Sequence, residues 1–255
     1  MNEERIVFIT AGASGLGREM AITCRNNGYL VAISDINKES LSKIDKDENN
    51  IFPYFGDASN ENDMLKITKS IIKKFKKIDV LVANAGIAGP TALCHEINFN
   101  DWKECIAVNL HGAFLACKFS IPSMLSKQKG SIIITSSTAG LFGYPYRSPY
   151  ASAKWGMIGL MKTLAMELGP NNIRVNAICP GAVEGDRMER VISNASIASG
   201  IPKEKIKQDY SDCSSLKRFV GSDDIAEMAL FLASEKSKNI SGMAMSVDGN
   251  TEKIC

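Results

Sequence analysis

Ile6-Val7-Phe8-Ile9-Thr10 runs directly into Ala11-Gly12-Ala13-Ser14-Gly15-Leu16-Gly17, and a helical pattern follows from Arg18. Five apolar or β-branched residues without alternation predict a strand buried on both faces. The glycines after it let the backbone turn tightly. They leave room for a pyrophosphate to approach the N-terminus of the following helix, and Gly17 lets that helix pack closely on the strand. A plain strand-to-helix turn would use similar residues, so the rest of the chain has to decide between the two.

Working outward, short apolar runs recur at Arg5–Thr10, Leu30–Ser34, Ile51–Phe55, Val80–Asn84, Ser131–Ser136, Arg174–Ile178 and Ala244–Val247. Between them lie longer segments with helical periodicity, such as Asn62–Phe75 and Ala151–Leu168. Continuously apolar strands separated by helices predict a parallel sheet covered on both faces. Right-handed crossovers make it an α/β, Rossmann-like doubly wound sheet of about seven strands, in a single domain over residues 1–255. Ligands in such a sheet bind beyond the carboxyl ends of the strands. The second strand ends at Asp35, a carboxylate suited to ribose hydroxyls and repulsive to a 2′-phosphate, which predicts NAD rather than NADP. A helix N-cap is the other use for Asp35. Residues 184–212 mix charge and small residues without clear periodicity and are expected to form a lid over the substrate cleft.

Composition narrows the field. The 255 residues are 45% hydrophobic with a formal net charge of +2, so no electrostatic footprint for nucleic acid or an anionic membrane is present. No apolar run approaches the roughly 18 residues needed to span a bilayer. The start, MNEERIVFIT, lacks the basic region and long apolar stretch of a signal peptide, and a cytoplasmic location is expected. Cysteines stand at 24, 94, 105, 117, 179, 213 and 255, with no Cys-x-x-Cys. They are expected to be buried free thiols in a reducing compartment. His95 and His111 form no ligating pair, so no metal is expected, and both are read as loop or helix-surface residues. The basic run Lys73 to Lys77 ends a helix and complements its dipole, as a solvated face.

Several motifs then appear in order: Thr10 to Gly17, Gly56-Asp57-Ala58, Asn84-Ala85-Gly86, Asn109-Leu110-His111-Gly112, Ser137 thirteen residues before Tyr150, Tyr150-Ala151-Ser152-Ala153-Lys154, and Pro180-Gly181. Together they resemble the short-chain dehydrogenase/reductase family over essentially the whole chain. The resemblance implies a catalytic tetrad of Asn109, Ser137, Tyr150 and Lys154. It also implies a cofactor site drawn from Gly12, Ser14, Gly15, Leu16, Gly17, Asp35, Asp57, Ala58, Asn84, Ala85, Gly86, Tyr150, Lys154, Pro180, Gly181 and Val183. The first glycine of the family turn, Thr-Gly-x-x-x-Gly-x-Gly, is Ala11 here. Gly185 stands where many members have a threonine that contacts the nicotinamide carboxamide, so the Val183 backbone carries more of the anchoring.

The chemistry can be followed from the residues. A spacing of four puts Tyr150 and Lys154 on one helix face, although an ordinary amphipathic helix edge would look the same. A phenol with a pKa near ~10 is a poor base at neutral pH. A neighbouring ammonium and a nicotinamide cation favour the phenolate. Tyr150 would then protonate a carbonyl oxygen or deprotonate a hydroxyl, with Ser137 orienting that oxygen. By the resemblance, Lys154 also holds the nicotinamide ribose and Asn109 positions a water that links Lys154 to solvent.

The expected function is therefore NAD-dependent interconversion of a small secondary alcohol and its ketone. A 3-oxoacyl-thioester reductase is the alternative, and a non-catalytic NAD-sensing regulator a further one. Arg147, in a loop stiffened by Pro145 and Pro149, and Arg187 are candidates to hold an anionic substrate such as a hydroxy acid. Solvated surface arginines are the plain alternative. The resemblance also implies a homotetramer, with the helices carrying Asn109 and Tyr150 pairing across a two-fold axis. Trp155, Met157 and Leu160 would contribute to that surface unless they are core.

Overall fold

A computed structural model describes residues 4–44 and 50–252. Seven strands, β1 (Ile6–Thr10), β2 (Leu30–Asp35), β3 (Ile51–Phe55), β4 (Val80–Ala83), β5 (Gly130–Thr135), β6 (Ile173–Pro180) and β7 (Ala244–Val247), form one sheet in the order β3-β2-β1-β4-β5-β6-β7. Every pairing is parallel. The expected doubly wound sheet is present, with the strands within two residues of their predicted ends.

Nine helices are found among the described residues: α1 (Gly15–Asn26), α2 (Lys38–Ser42), α3 (Glu61–Phe75), α4 (Phe99–Ile106), α5 (Gly112–Lys127), α6 (Ser148–Leu168), α7 (Asp186–Ser199), α8 (Lys203–Asp212) and α9 (Ser222–Ala233). Alternation along β1 explains how they divide between the faces. Ile6 and Phe8 point to one side, into a core with Met64, Ile71, Leu115, Met124 and Met161 from α3, α5 and α6. Val7 and Ile9 point to the other, against Met20 and Cys24 of α1 and Ile225, Ala229 and Leu232 of α9. Each Val, Leu, Ile, Phe or Met side chain among them, fully buried, is worth about 1.5–3 kcal/mol.

The helix ends follow their sequence signals. The Asn60 side chain accepts from the Asp63 amide at 3.1 Å and caps α3, while Lys76 ends it at φ 67°. The basic run does more than face solvent: Lys74 Nζ lies 3.6 Å from the centre of the Phe52 ring. β3 is an outer strand. Asn50 O accepts from Val31 N, and Gly56 N donates to Asp35 O. By alternation, the nitrogen of Pro53 between them faces away from β2.

Four expectations change. α1 begins at Gly15, not Arg18, because the glycine turn already carries helical hydrogen bonding. Met157 is wholly buried and packs in the core with Met161, so it supplies no surface; Leu160 is half-buried and Trp155 exposed. α4, a π-helical turn at Ala107–His111 and α5 form one continuous helix over Phe99–Lys127, long and apolar enough by length and composition to cross a bilayer. Asn109, His111 and Lys118 interrupt its apolar residues and conceal it in the sequence, and it packs on β4 and β5 through Leu115, Ala116 and Met124. Finally, the cysteines are not uniformly buried thiols. Cys24, Cys105, Cys117 and Cys179 are free and buried, and Cys94 is free but exposed. Cys213 is disulfide-bonded. It ends α8 where the returning C-terminal segment docks, with Glu252 N donating to Cys213 O. Cys255 lies outside the described residues.

Candidate active site

The order of the sheet reverses between β1 and β4, and the carboxyl ends of β1, β2, β4, β5 and β6 converge there. The turn after β1 is tied to the turn after β4. Thr10 Oγ1 accepts from the amides of Asn84 and Ala85, both at 2.9 Å. Asn84 Nδ2 donates back to Thr10 O and Ala11 O at 3.2 and 3.3 Å. A Cβ on Gly17 would stand 2.0 Å from Ala11 O and 2.8 Å from Asn84 Nδ2, so only glycine permits this closeness. Ala11 itself adopts φ 51°, the left-handed conformation that favours glycine.

A cleft of about 810 Å³ opens over these strand ends. Of the residues singled out in the sequence, Ser14, Gly15, Leu16, Gly17, Asn84, Gly86, Ser137, Arg147, Tyr150, Lys154, Pro180, Gly181, Val183 and Arg187 line it. Gly12, Asp35, Asp57, Ala58, Ala85 and Asn109 are not among its lining residues. Asp35 does not cap α2; that cap is Asn37. The Asp35 carboxylate accepts from Ala13 N at 3.1 Å and Asn37 N at 2.9 Å, which fixes it beside the glycine turn. Asp57 accepts from the amide and hydroxyl of Ser59.

At the centre, Lys154 is buried and donates to Thr135 O at 2.7 Å. Its Nζ lies 5.5 Å from the centre of the Tyr150 ring. Burial raises the Tyr150 phenol. Lys154, Arg187, a hydrogen bond from Ser137 and Arg147 outweigh that, and the phenol sits below its ordinary value. Burial lowers Lys154 in turn, against the pull of Tyr150.

Asn109 sits in the π-helical turn, wholly buried. Its Nδ2 donates to Cys105 O at 2.8 Å and Ile87 O at 3.1 Å, while its Oδ1 has no partner. A Cβ on Gly86 would come 2.6 Å from this Oδ1 and 3.6 Å from Lys154 Nζ. The two atoms therefore both border the space beside the Gly86 Cα.

Arg147 is 5% exposed, not a solvated surface arginine. Its Nη2 donates to Ala88 O at 2.9 Å, and its Cζ lies 4.9 Å from the Tyr150 ring centre and 5.8 Å from that of Tyr144. Arg187, exposed at the start of α7, reaches across the cleft to Gly86 O at 3.3 Å. Gly185, which precedes α7, has φ 127°. A threonine there would be strained, so the family's side-chain contact is excluded by the backbone as well as by sequence. Val183 is held by a parallel bridge to Val220.

The sequence did not single out Tyr144 or Tyr210, whose hydroxyls meet at 2.6 Å above the cleft, or Arg18, Arg190 and Arg218 on its rim. Tyr144 stood in the proline-flanked loop and had that signal alone. Tyr210 lies in α8, where periodicity is weak.

Known proteins share this fold. The short chain dehydrogenase family model matches residues 5–196. A 3-oxoacyl-(acyl-carrier-protein) reductase of Thermotoga maritima is 34% identical over 253 residues, 97% of each chain. A (-)-trans-carveol dehydrogenase of Rhodococcus erythropolis is 31% identical over 98% of each chain. Among solved structures, a xylitol dehydrogenase with NAD+ bound superposes with a TM-score of 0.93 at 26% identity, covering 96% of this chain and 98% of that one. ElxO with NADP bound gives 0.87 at 30% identity, covering 97% and 98%. With a family model spanning most of its length and relatives matching end to end, this chain belongs to the short chain dehydrogenase family, oxidoreductases that act on CH–OH groups.

Proposed function

We propose that the protein interconverts a small secondary alcohol and its ketone with NAD, using Tyr150 as the acid–base group. The observation that carries this reading is the pairing of half-buried Tyr150 with buried Lys154 at the strand ends, with the phenol held below its ordinary value. The glycine turn, the Asn84–Gly86 turn and Pro180–Val183 line one continuous trough that fits an extended dinucleotide. Asp35, fixed beside Ala13, would receive the adenosine ribose hydroxyls and repel a 2′-phosphate. Asp57 and Ala58 would border the adenine, and Lys154 would hold the other ribose. NAD, when bound, supplies the hydride acceptor or donor.

In oxidation, the Tyr150 phenolate takes the proton of the substrate hydroxyl, while Ser137 donates to the same oxygen and orients it. In reduction, the Tyr150 hydroxyl returns the proton to the carbonyl oxygen. Lys154 stabilises the phenolate. Asn109 Oδ1 accepts from a water that also meets Lys154 and lets the proton reach solvent. An anionic group on the substrate, as in a hydroxy acid, would meet Arg187, with Arg147 beside Tyr150.

Residues 184–212, folded as α7 and α8, act as the lid of a single-domain enzyme. A homotetramer would use the exposed Phe114 and Trp155 on the faces of α5 and α6. Among the described residues five cysteines are free, which suits a cytoplasmic setting, whereas the disulfide-bonded Cys213 opposes a strictly reducing one. A 3-oxoacyl-thioester reductase is the second reading, supported by the Thermotoga relative; Asp35 opposes the NADPH such a reaction commonly uses.

Turnover with NAD+ across secondary alcohols weighted towards hydroxy acids, beside NADPH with a 3-oxoacyl thioester, tests both. Equal or better turnover with the phosphorylated cofactor overturns the NAD reading. NAD binding without turnover of any alcohol or ketone would point instead to a regulator.

A further inference from the structure

Arg147 poses a problem that the proposed reaction leaves open. A guanidinium taken out of water is unfavourable unless an anion and hydrogen-bond acceptors receive it. Here the side chain is 5% exposed. One nitrogen donates to Ala88 O, and its Nε is buried without an acceptor. No carboxylate pairs with it among the described residues. What it faces is aromatic: the ring of Tyr144 and, closer, the ring of Tyr150 at 4.9 Å. The loop holding it is pinned, with Ala92 N donating to Tyr146 O and Ala151 N to Arg147 O. A fixed buried cation with no resting anion is arranged for an anion that forms only during the reaction.

We propose that Arg147 is a positioning residue for Tyr150, whose guanidinium is held against the tyrosine to stabilise its phenolate rather than to bind the substrate directly. The inference rests on the reading of Tyr150 as the acid–base group. The other groups around Tyr150 are Lys154 on the same helix, Ser137 after β5 and Arg187 from α7. Tyr144 lies beside it, bonded to Tyr210 of α8. Cys105 of α4 and Cys179 of β6 lie near enough to act on Lys154, and Glu184, Asp186 and Asp248 line the cleft. Arg187 is exposed and also lowers the Tyr150 phenol; Arg147 is buried at the edge of the cleft with its Cζ 4.9 Å from the Tyr150 ring centre, where water screens it less than an exposed cation.

The test compares Arg147→Gln, which keeps a donor but no charge, with Arg147→Lys, which keeps the charge. Tyr150 ionisation is read directly, as the ultraviolet tyrosinate signal lost on Tyr150→Phe, in free enzyme with no cofactor or substrate. It is read separately from the pH profile of kcat/KM for alcohol oxidation. Arg147→Gln should move the Tyr150 midpoint up by about one pH unit, and Arg147→Lys should restore most of it. If Arg147→Gln does not fold, Arg147→Met, which keeps the stem packed on the rings, takes its place. An unchanged midpoint in the uncharged variant overturns the proposal. So does an equal shift in Arg147→Lys, which would assign the effect to packing, or a rise in KM confined to anionic substrates at an unchanged midpoint. Because the titration needs no turnover, a failure of the dehydrogenase reading would show in the kinetics while the effect of Arg147 on Tyr150 is still measured.

Discussion

Tyr144 and Tyr210 share a 2.6 Å hydroxyl–hydroxyl hydrogen bond that joins the loop ahead of α6 to the proposed lid. Burial, then Tyr210, holds the Tyr144 phenol well above its ordinary value, so Tyr144 stays protonated. Tyr210→Phe removes one hydrogen bond worth about 1 kcal/mol. Amide exchange over α8 should quicken by several-fold and KM should rise, with the thermal midpoint nearly unchanged. Identical exchange in the variant would show that the bond does not hold the lid.

Tyr150→Phe should lower kcat by roughly 10²–10⁴-fold while NAD still binds, as measured by calorimetry. Lys154→Met should slow turnover as well. In oxidation the phenolate is the active form, so activity rises with pH. Removing the lysine that lowers the phenol shifts that rising limb to higher pH, visible in the kcat/KM profile.

Asp35→Ala should narrow the preference for NAD over NADP by about tenfold or more, since a single buried charge contact is worth more than 1.4 kcal/mol. Asp35 also accepts from Ala13 and Asn37, so the variant should lose about 1–2 kcal/mol of stability in denaturant titrations. Unchanged cofactor preference together with that loss would leave Asp35 a purely structural role.

Ala11→Gly should stabilise the fold. The alanine holds φ 51°, which disfavours a side chain by about 1–2 kcal/mol, and the extra freedom of glycine when unfolded offsets part of the gain. A net gain of about 1 kcal/mol, read from urea midpoints, is expected. A loss would mean the alanine methyl makes a contact worth more than the strain.

Thiol reagents at neutral pH should label Cys94 first. Burial pushes Cys24 and Cys117 up to about 12 and Cys179 up to about 11, and only the thiolate reacts. Peptide mapping that finds Cys24 or Cys117 modified before Cys94 would contradict the packing of α1 or α5.

Much of this molecule can be read before it folds, because its information is local. Ile6 to Ile9 and Ile132 to Ile134 are apolar in every position and must be covered on both sides. Tyr150 and Lys154 share a helix face by spacing alone. Other features arise only from assembly. Nothing in the neighbours of Tyr210 says that it meets Tyr144, sixty-six residues away. Burial of Arg147 depends on Ala88, fifty-nine residues away, arriving beside it. The π-helical turn that leaves Asn109 Oδ1 unpaired has no periodicity signal, and the pairing of α7 with α8 replaced a segment that read as irregular.

Pro53 bears on how copies of this chain meet one another. β3 ends the sheet, and its outward row of backbone groups is open to a strand from a second molecule. The proline nitrogen faces that side at the centre of five residues and has no hydrogen to give. An incoming strand would lose a bond midway along so short an edge, and adding chain after chain there is disfavoured. This side of the sheet is thereby protected against the edge-to-edge stacking that starts aggregates.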